Sequence, residues 1–285
     1  MEVFQNYAYY YNAFYKDKNY SKRILYLRFD FLYLLCIQLD LDAKRKGIIR
    51  LLYIAEAKQI ELLLKKYGKQ IEKIINFGCG TGKHDIELSK LGYRCSGIDM
   101  SQVMIDVAVE NARQEGLQID FAVADVRDYE PTEKYDAVIS MFHVMSYQNS
   151  NEDILSAFKT ARKALDKNGL FLFDVWYGPG VLTDKPIVRV KEVQNDRHKL
   201  IRIARPVMHD KTNIVDVCYE VFVIDEKTNE TKVINEVHHM RYFFRPEIEM
   251  LLEDAEFTLI DNLDCQTLGE TDNDTWTSYF IAKAK

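Results

Sequence analysis

Short apolar runs alternate with amphipathic segments through the middle of the chain. The runs have the length of buried strands and lie at 73–77, 93–98, 118–123, 135–140 and 170–175. The segments between them follow helical spacing and lie at 83–91, 101–115 and 151–166. Ser101 and Gly116 are suited to begin and end the second of these helices. Strands that alternate with helices in this way predict a parallel sheet with right-handed crossovers.

The hydrophobic pattern changes after Trp176. Strand-like segments separated by turn residues follow at 188–193, 199–207, 214–224 and 232–244. Pro246 then begins a helix over 246–255, and two further strands are predicted at 257–263 and about 275–283. The prediction is therefore an α/β, Rossmann-like fold: a seven-stranded, mostly parallel sheet with helices on both faces, plus an inserted antiparallel β meander.

The first 72 residues follow a different pattern. Residues 1–20 are rich in tyrosine, which suits either a mobile lid over a ligand or a helix packed on the domain edge. Residues 24–41 are largely apolar and predict a buried helix or a helix at a subunit contact, because their longest uncharged run is far below the roughly 20 residues that span a bilayer. A break at 44–47 and an amphipathic helix over 48–67 follow.

These patterns predict four parts of the chain. They are an N-terminal helical or lid segment at 1–72, a Rossmann-like core at 73–175, the β insertion at 176–245 and the C-terminal part of the core at 246–285.

A glycine-rich turn follows the first predicted strand. Glycines at 78, 80 and 82 permit positive φ angles and allow a ligand to approach the backbone, while the N–H groups of the next helix point toward that ligand. The G-x-G-x-G spacing is one residue shorter than the dinucleotide fingerprint G-x-G-x-x-G. Asp99 follows the second strand, where a carboxylate can accept hydrogen bonds from two ribose hydroxyls.

Gly-Cys-Gly-Thr-Gly followed by Gly-Ile-Asp-Met-Ser resembles motif I and the acidic loop of class I S-adenosylmethionine (SAM) dependent methyltransferases. The resemblance implies SAM as the cofactor, bound at the carboxyl ends of the strands. Its methionine part would lie on the glycine loop, its ribose at Asp99 and its adenine beside the next loop. The residues assigned to the cofactor on this basis are Gly78, Cys79, Gly80, Gly82, Asp99, Met100, Met104, Asp125, Val126 and Met141.

Methyl transfer from a sulfonium is an in-line displacement in which the protein mainly aligns the nucleophile and excludes water. An amine acceptor must be neutral, so a polar group is needed to take a proton if the amine binds protonated. His143 and Tyr147 follow the fourth strand and are the candidates, with His143 the better base. His238 and His239 are adjacent in a predicted strand and point to opposite faces, so a core or surface role is predicted for them and no metal site.

The resemblance extends to the N-methyltransferases of amino-deoxysugar biosynthesis, through the loop at 141–147, the segment 173–177 and the tyrosine-rich stretch at 14–20. It implies that Tyr20 contacts SAM and that Tyr11 faces the substrate amine. It also implies that the β insertion at 176–245 contributes to substrate binding and to the contacts of a homodimer. Tyr147 stands where those enzymes place a histidine, and residues 21–65 exceed their usual helical link.

Composition limits the classes of molecule that we expect the protein to bind. A net charge of −6 disfavours a broad nucleic-acid surface, and five scattered cysteines without a C-x-x-C pair indicate a reduced, cytoplasmic protein. We expect a small-molecule acceptor and neither nucleic acid nor membrane as partner. The diphosphate of a nucleotide-linked substrate would require basic residues from the meander, and the candidates are Arg189, Arg202, Arg241 and Arg245.

The resulting hypothesis is a SAM-dependent methyltransferase that acts on the amine of a small polar acceptor, with a nucleotide-linked amino sugar as the first choice. Three alternatives stay open. They are a methyltransferase with a hydroxyl or amino-acid acceptor, a SAM-binding scaffold or sensor without catalysis, and a nicotinamide oxidoreductase.

Overall fold

The computed structural model describes residues 41–194 and 198–285. The helices are α1 Leu41–Tyr67, α2 Lys83–Lys90, α3 Gln102–Gln114, α4 Asn151–Ala164, α5 Gly178–Thr183 and α6 Arg245–Asp254. The first five strands are β1 Lys73–Phe77, β2 Arg94–Asp99, β3 Asp120–Val123, β4 Tyr135–Ser140 and β5 Leu165–Tyr177. The other strands are β6 Arg189–Gln194, β7 His198–His209, β8 Ile214–Asp225, β9 Thr231–Phe243, β10 Phe257–Asp264 and β11 Thr277–Ala284.

Seven strands form the central sheet in the order β3-β2-β1-β4-β5-β11-β10. The first five are parallel, as in the pairing of Ile74 with both Cys95 and Ala137. β11 is antiparallel to both β5 and β10. This order reverses between β1 and β4, which is the point where open α/β sheets bind ligands. The predicted seven-stranded, mostly parallel sheet is confirmed.

Two hydrophobic cores lie on opposite faces of this sheet, because successive strand residues point to opposite sides. Ile75 and Phe77 belong to the core that contains the apolar sides of α4 and α6. Ile74, the residue before Ile75 on β1, belongs to the core that contains α1 and Leu88 of α2. The predicted helices on both faces are therefore present.

The strands β6 to β9 form an antiparallel meander with each strand paired to the next. The meander joins the central sheet where Trp176 and Tyr177 of β5 pair in parallel with Tyr242 and Phe243 of β9. This junction lies at the carboxyl end of β5. It therefore brings one face of the meander next to the ligand-binding edge of the parallel sheet.

Three features differ from the sequence prediction. The predicted break at 44–47 is wrong, since α1 continues through it; an interior glycine costs a helix only about 1 kcal/mol. The helix predicted over 151–166 ends at Ala164, and β5 begins at Leu165 instead of at 170, with a bulge where its pairing with β4 shifts between Leu165 and Leu170. The short helix α5 and a 3-10 turn at Val144–Tyr147 were not predicted.

Candidate functional site

One cavity opens at the carboxyl ends of β1, β2, β4 and β5 and is closed on one side by the meander. Eleven residues assigned from the sequence line it: Gly78, Cys79, Gly80, Asp99, Met100, Met104, Asp125, Val126, Met141, His143 and Tyr147. Other lining residues had no assigned role: Tyr53, Thr81, Lys83, His84, Ala124, Arg127, Phe142, Val144, Gln148, Trp176, Val217, Tyr219, His238 and Met240. Tyr11 and Tyr20 lie outside the described residues.

The glycine loop contains residues with two different roles. Gly80 has a φ of 54° and a Cβ there would meet no atom within 4 Å, so this position is an open cradle for a ligand. Gly82 does not line the cavity, contrary to its assignment. A Cβ on Gly82 would lie 2.7 Å from the Phe121 ring and 3.0 Å from Ala108, which makes it a packing glycine between helix and sheet.

Asp99 is fixed by the backbone on both sides. Its Oδ2 accepts from Gly80 N at 2.9 Å, and its Oδ1 accepts from Ser101 N at 2.9 Å. Burial raises the pKa of Asp99 above its usual value, and these two backbone donors oppose that shift. The carboxylate is held at the mouth of the glycine loop, where further lone pairs suit a diol.

Asp125 lines the cavity but is already bound by an arginine. Arg127 donates to both of its oxygens, with Nη2 at 2.6 Å from Oδ2, and also donates to Asp153 at 2.8 Å. Burial alone would raise the pKa of Asp125, but the hydrogen bonds from Arg127 outweigh it and the pKa is lowered. The carboxylate predicted to meet the adenine amino group therefore shares its acceptors with Arg127.

The loop after β4 carries unusual backbone angles. Phe142 and His143 have φ values of 70° and 65°, which cost about 1–3 kcal/mol each in residues other than glycine. Asp174 of β5 holds this conformation, since its Oδ1 accepts from His143 N at 3.0 Å. Nδ1 of His143 lies 2.6 Å from Asp174 Oδ2 but lacks good hydrogen-bond geometry. The strained loop presents the imidazole to the cavity.

Tyr147 meets a residue that the sequence did not connect to the site. Its hydroxyl lies 2.8 Å from Nδ1 of His238, and Nε2 of His238 lies 3.2 Å from Oε2 of Glu236. His238 is 2% exposed, whereas its neighbour His239 is partly exposed and pairs with Asp216. The alternation of these two histidines was a usable signal, but it did not tell which face would meet Tyr147.

The end of β5 and the meander together supply an aromatic and apolar wall. Trp176, Val217, Tyr219 and Met240 line the cavity on that side. Arg202 lies over the Tyr219 ring, 5.0 Å from its centroid. This part of the cavity suits the acceptor, while the glycine loop and Asp99 form the opposite part.

The other candidate arginines of the meander are differently placed. Arg241 is buried and forms an ion pair with Glu247 and a hydrogen bond with Asn151 at 2.7 Å, so its guanidinium is used inside the fold. Its assignment to a substrate diphosphate is wrong. Arg189 and Arg245 are exposed and do not line the cavity.

The helix α1 reaches the cavity at the side of the glycine loop. Glu56 lies 2.9 Å from Nε2 of His84, the second residue of α2, and the ring of Tyr53 packs edge-on against His84 with centroids 5.2 Å apart. Lys83 lies near the Tyr53 ring at 5.6 Å. The N-terminal helix therefore forms one wall of the site, a role the sequence did not show.

The described residues contain no group of three or more His, Cys, Asp or Glu side chains placed to hold a metal ion. Within the same residues, no helix is both long and apolar enough to cross a bilayer.

Comparison with known proteins identifies the domain that carries the glycine loop and Asp99. Residues 74–169 match the family of methyltransferase domains. A protein of Geobacillus sp. (strain WCH70), named as a methyltransferase, is 29% identical over 124 residues, which cover 43% of this chain and 50% of the relative. The dTDP-3-amino-3,4,6-trideoxy-alpha-D-glucopyranose N,N-dimethyltransferase of Streptomyces venezuelae is 23% identical over 197 residues, covering 69% of this chain and 80% of the relative.

A solved structure shares the whole fold. The S-adenosylmethionine-dependent methyltransferase from Clostridium acetobutylicum ATCC 824 superimposes with a TM-score of 0.72 at 20% sequence identity. The match covers 91% of this chain and 99% of the Clostridium chain. Residues 74–169 therefore belong to the methyltransferase domain family, in a class I Rossmann-like fold, and the cofactor of this domain is S-adenosyl-L-methionine.

Proposed function

We propose that the protein transfers a methyl group from SAM to the amine of a small polar acceptor, with a nucleotide-linked amino sugar as the substrate class. The observation that carries the proposal is that one cavity runs from the glycine loop and Asp99 to the wall of Trp176, Tyr219 and Met240. A cofactor and an acceptor in these two parts would lie in contact, as an in-line displacement requires.

The residues present fit SAM at the first part. The open cradle at Gly80 admits a ligand to the backbone, and Asp99 is positioned for the ribose. When bound, SAM supplies a methyl group that is already activated on a positively charged sulfur. The chain's own residues then align the amine, exclude water and accept a proton, for which His143 and Tyr147 are the candidates.

Two observations support an amino sugar. The Streptomyces venezuelae relative, whose name specifies N,N-dimethylation of a dTDP-linked amino sugar, covers 69% of this chain. Arg202 is positioned beside the acceptor wall through its contact with Tyr219, where it suits a diphosphate. An acceptor hydroxyl would need a stronger base than an amine does, because alcohols hold their proton more tightly.

Calorimetric titration tests both parts of the cavity. We expect S-adenosylhomocysteine to bind, and a dTDP-linked amino sugar to strengthen that binding or to bind only in its presence. Mass spectrometry of a panel of amine, hydroxyl and amino-acid acceptors then identifies the methylated class. Methylation of hydroxyls alone would replace the amine proposal, and binding of S-adenosylhomocysteine without methylation of any acceptor would favour the scaffold alternative.

A further inference from the structure

In the cavity wall, three side chains from two parts of the chain form a hydrogen-bonded row. Tyr147 comes from the 3-10 turn after β4, while His238 and Glu236 come from β9. The Tyr147 hydroxyl lies 2.8 Å from His238 Nδ1, and His238 Nε2 lies 3.2 Å from Glu236 Oε2. Tyr147 and His238 both line the cavity.

The partners assign the protons in this row. A carboxylate only accepts hydrogen bonds, so Nε2 of His238 carries the hydrogen that Glu236 receives. In the neutral imidazole Nδ1 is then an acceptor, and the Tyr147 hydroxyl donates to it. A phenol that donates its own hydrogen retains lone pairs that accept another, so Tyr147 can receive a hydrogen bond from a group in the cavity.

The surroundings of His238 favour its neutral form at rest. Burial lowers its pKa below the usual value, and the nearby charges of Arg202 and His239 lower it further, while Glu236 opposes this. The Tyr219 ring covers the imidazole edge-on, with centroids 4.8 Å apart. A neutral imidazole next to a carboxylate is prepared to accept one proton, because Glu236 stabilises the resulting cation.

We propose that Tyr147, His238 and Glu236 form a proton relay that deprotonates the acceptor ammonium. This inference rests on the proposed amine acceptor and adds the path of its proton. One N–H proton of the ammonium passes to the Tyr147 oxygen as the tyrosine proton passes to His238 Nδ1. The nitrogen lone pair released in this way forms the new N–C bond while the methyl–sulfur bond breaks, and the proton remains on His238 as an ion pair with Glu236.

The relay assigns distinct roles to its members. Tyr147 is the catalytic residue because it touches the acceptor. His238 is a positioning residue that receives the proton through Tyr147, and Glu236 orients its ring. The relay gives the proton to Tyr147 and not to His143, the stronger candidate from the sequence, whose ring also lines the cavity with its Nδ1 2.6 Å from Asp174 Oδ2. The relay accounts for a buried histidine–carboxylate pair at the cavity wall, which packing alone does not require.

Kinetics as a function of pH test the relay in the full-length protein. The variants are Tyr147→Phe, His238→Gln and Glu236→Gln, and His239→Gln is the matched control because it changes the adjacent histidine on the other face of the strand. At pH 7 we expect kcat to fall about 10²-fold or more in Tyr147→Phe and His238→Gln, the usual range for general base catalysis. The double variant Tyr147→Phe/His238→Gln should lose no more kcat than either single variant, because both act on one proton path.

High pH separates proton transfer from packing. Where the amine is already deprotonated in solution, His238→Gln should regain most of its activity, so its pH–rate profile moves to the alkaline side. Affinity for S-adenosylhomocysteine should stay within about twofold of wild type. If His238→Gln instead has the same pH–rate profile as His239→Gln, or loses activity equally at every pH, the relay is overturned.

A measurement that requires no acceptor tests the relay even if the His238 variant does not fold. Nitrogen NMR of the imidazoles in the protein bound to S-adenosylhomocysteine should show His238 as the Nε2–H tautomer, and Tyr147→Phe should shift its Nδ1 resonance. An Nδ1–H tautomer contradicts the relay. A failure of the proposed function is visible separately, since wild type and His239→Gln would then methylate no amine at any pH.

Discussion

At the scale of single residues, the glycine loop shows why one residue type recurs for different reasons. Gly82 is required by packing, since any Cβ would collide with the Phe121 ring. Gly80 is not required by packing, because a Cβ there would meet no atom within 4 Å, and its proposed role is to let the cofactor approach the backbone. The sequence pattern assigned both to the cofactor, since spacing alone does not reveal what lies opposite each Cα.

Gly80→Ala should separate backbone strain from ligand access. The methyl group would stand in the open cradle, so we expect affinity for S-adenosylhomocysteine to fall at least about tenfold, or 1.4 kcal/mol. Gly116→Ala is the control, because Gly116 also has a positive φ with open space around it but lies away from the cavity at the end of α3. Both variants should lose about 1–2 kcal/mol of unfolding free energy. Equal affinities in calorimetry would contradict the assigned role of Gly80.

At the scale of elements, α1 is part of the core. Ala57, Ile60, Leu63 and Leu64 are buried with Ile74 of the central sheet in one hydrophobic cluster. The periodicity of 48–67 predicted an amphipathic helix, and that prediction is confirmed in its position. Its packing partner was not predictable, because an apolar stripe does not specify which face of which sheet it will cover.

Leu63→Ala should destabilise the protein strongly. Leu63 is 1% exposed, and truncating a buried leucine costs about 2–5 kcal/mol of unfolding free energy through lost contacts and a cavity. Leu62, the preceding residue, is 56% exposed, so Leu62→Ala should stay within about 0.5 kcal/mol. Urea denaturation of both variants measures the difference. Similar midpoints would show that α1 is only loosely attached to the sheet.

The first turn of α2 contains a buried carboxyl beneath the glycine loop. Asp85 is 1% exposed and its Oδ2 accepts from Asn76 Nδ2 at 3.0 Å. Among the described residues, neither Asp85 Oδ1 nor Asn76 Oδ1 has a hydrogen-bond partner. Burial raises the pKa of Asp85 to about 7, although Asn76 and His84 oppose the shift.

This raised pKa predicts a pH-dependent stability. Between pH 4 and 7 the folded state holds a proton that the unfolded state has lost, so the unfolding free energy falls as pH rises across this interval and levels off above about 7. Asp85→Asn should remove this dependence, gaining on the order of 4 kcal/mol relative to wild type between pH 4 and pH 8. Asp106→Asn, at an exposed position of α3, is the control. Urea denaturation measures the unfolding free energy at both pH values. If the difference in this free energy between wild type and Asp85→Asn is the same at pH 4 and pH 8, the assignment is contradicted.

The cofactor part of the site was largely predictable from the sequence, and the acceptor part was not. Strand ends meet at one edge of a parallel sheet, so residues such as Asp99 and Met141 could be placed from the α/β pattern alone. Tyr147 and His238 are 91 residues apart, and they meet only because β5 and β9 pair over two residues. No local pattern encodes that junction, which depends on how the meander twists against the main sheet.

At the scale of the whole molecule, the two parts of the cavity belong to two parts of the fold. The parallel sheet contributes the glycine loop and Asp99, whereas β8 and β9 of the meander contribute Val217, Tyr219 and Met240. Under the proposed function, substitutions at these three meander positions are expected to alter acceptor binding while the glycine loop and Asp99 stay intact. The predicted homodimer through the meander stays a prediction.

This division of the cavity predicts that one substitution weakens only acceptor binding and another weakens only cofactor binding. Tyr219→Ala removes part of the acceptor wall and its contact with Arg202, so KM for the acceptor should rise about tenfold, while affinity for S-adenosylhomocysteine stays within about twofold. Asp99→Ala changes the cofactor part instead and should weaken S-adenosylhomocysteine binding by about 1.5–3 kcal/mol, the range for hydrogen bonds to a charged group. The acceptor KM of this variant at saturating SAM should be nearly unchanged. Calorimetry and steady-state kinetics measure the two quantities independently. If each variant weakened both ligands to the same degree, the cavity would act as one cooperative site, and the meander could not vary its acceptor without cost to the cofactor.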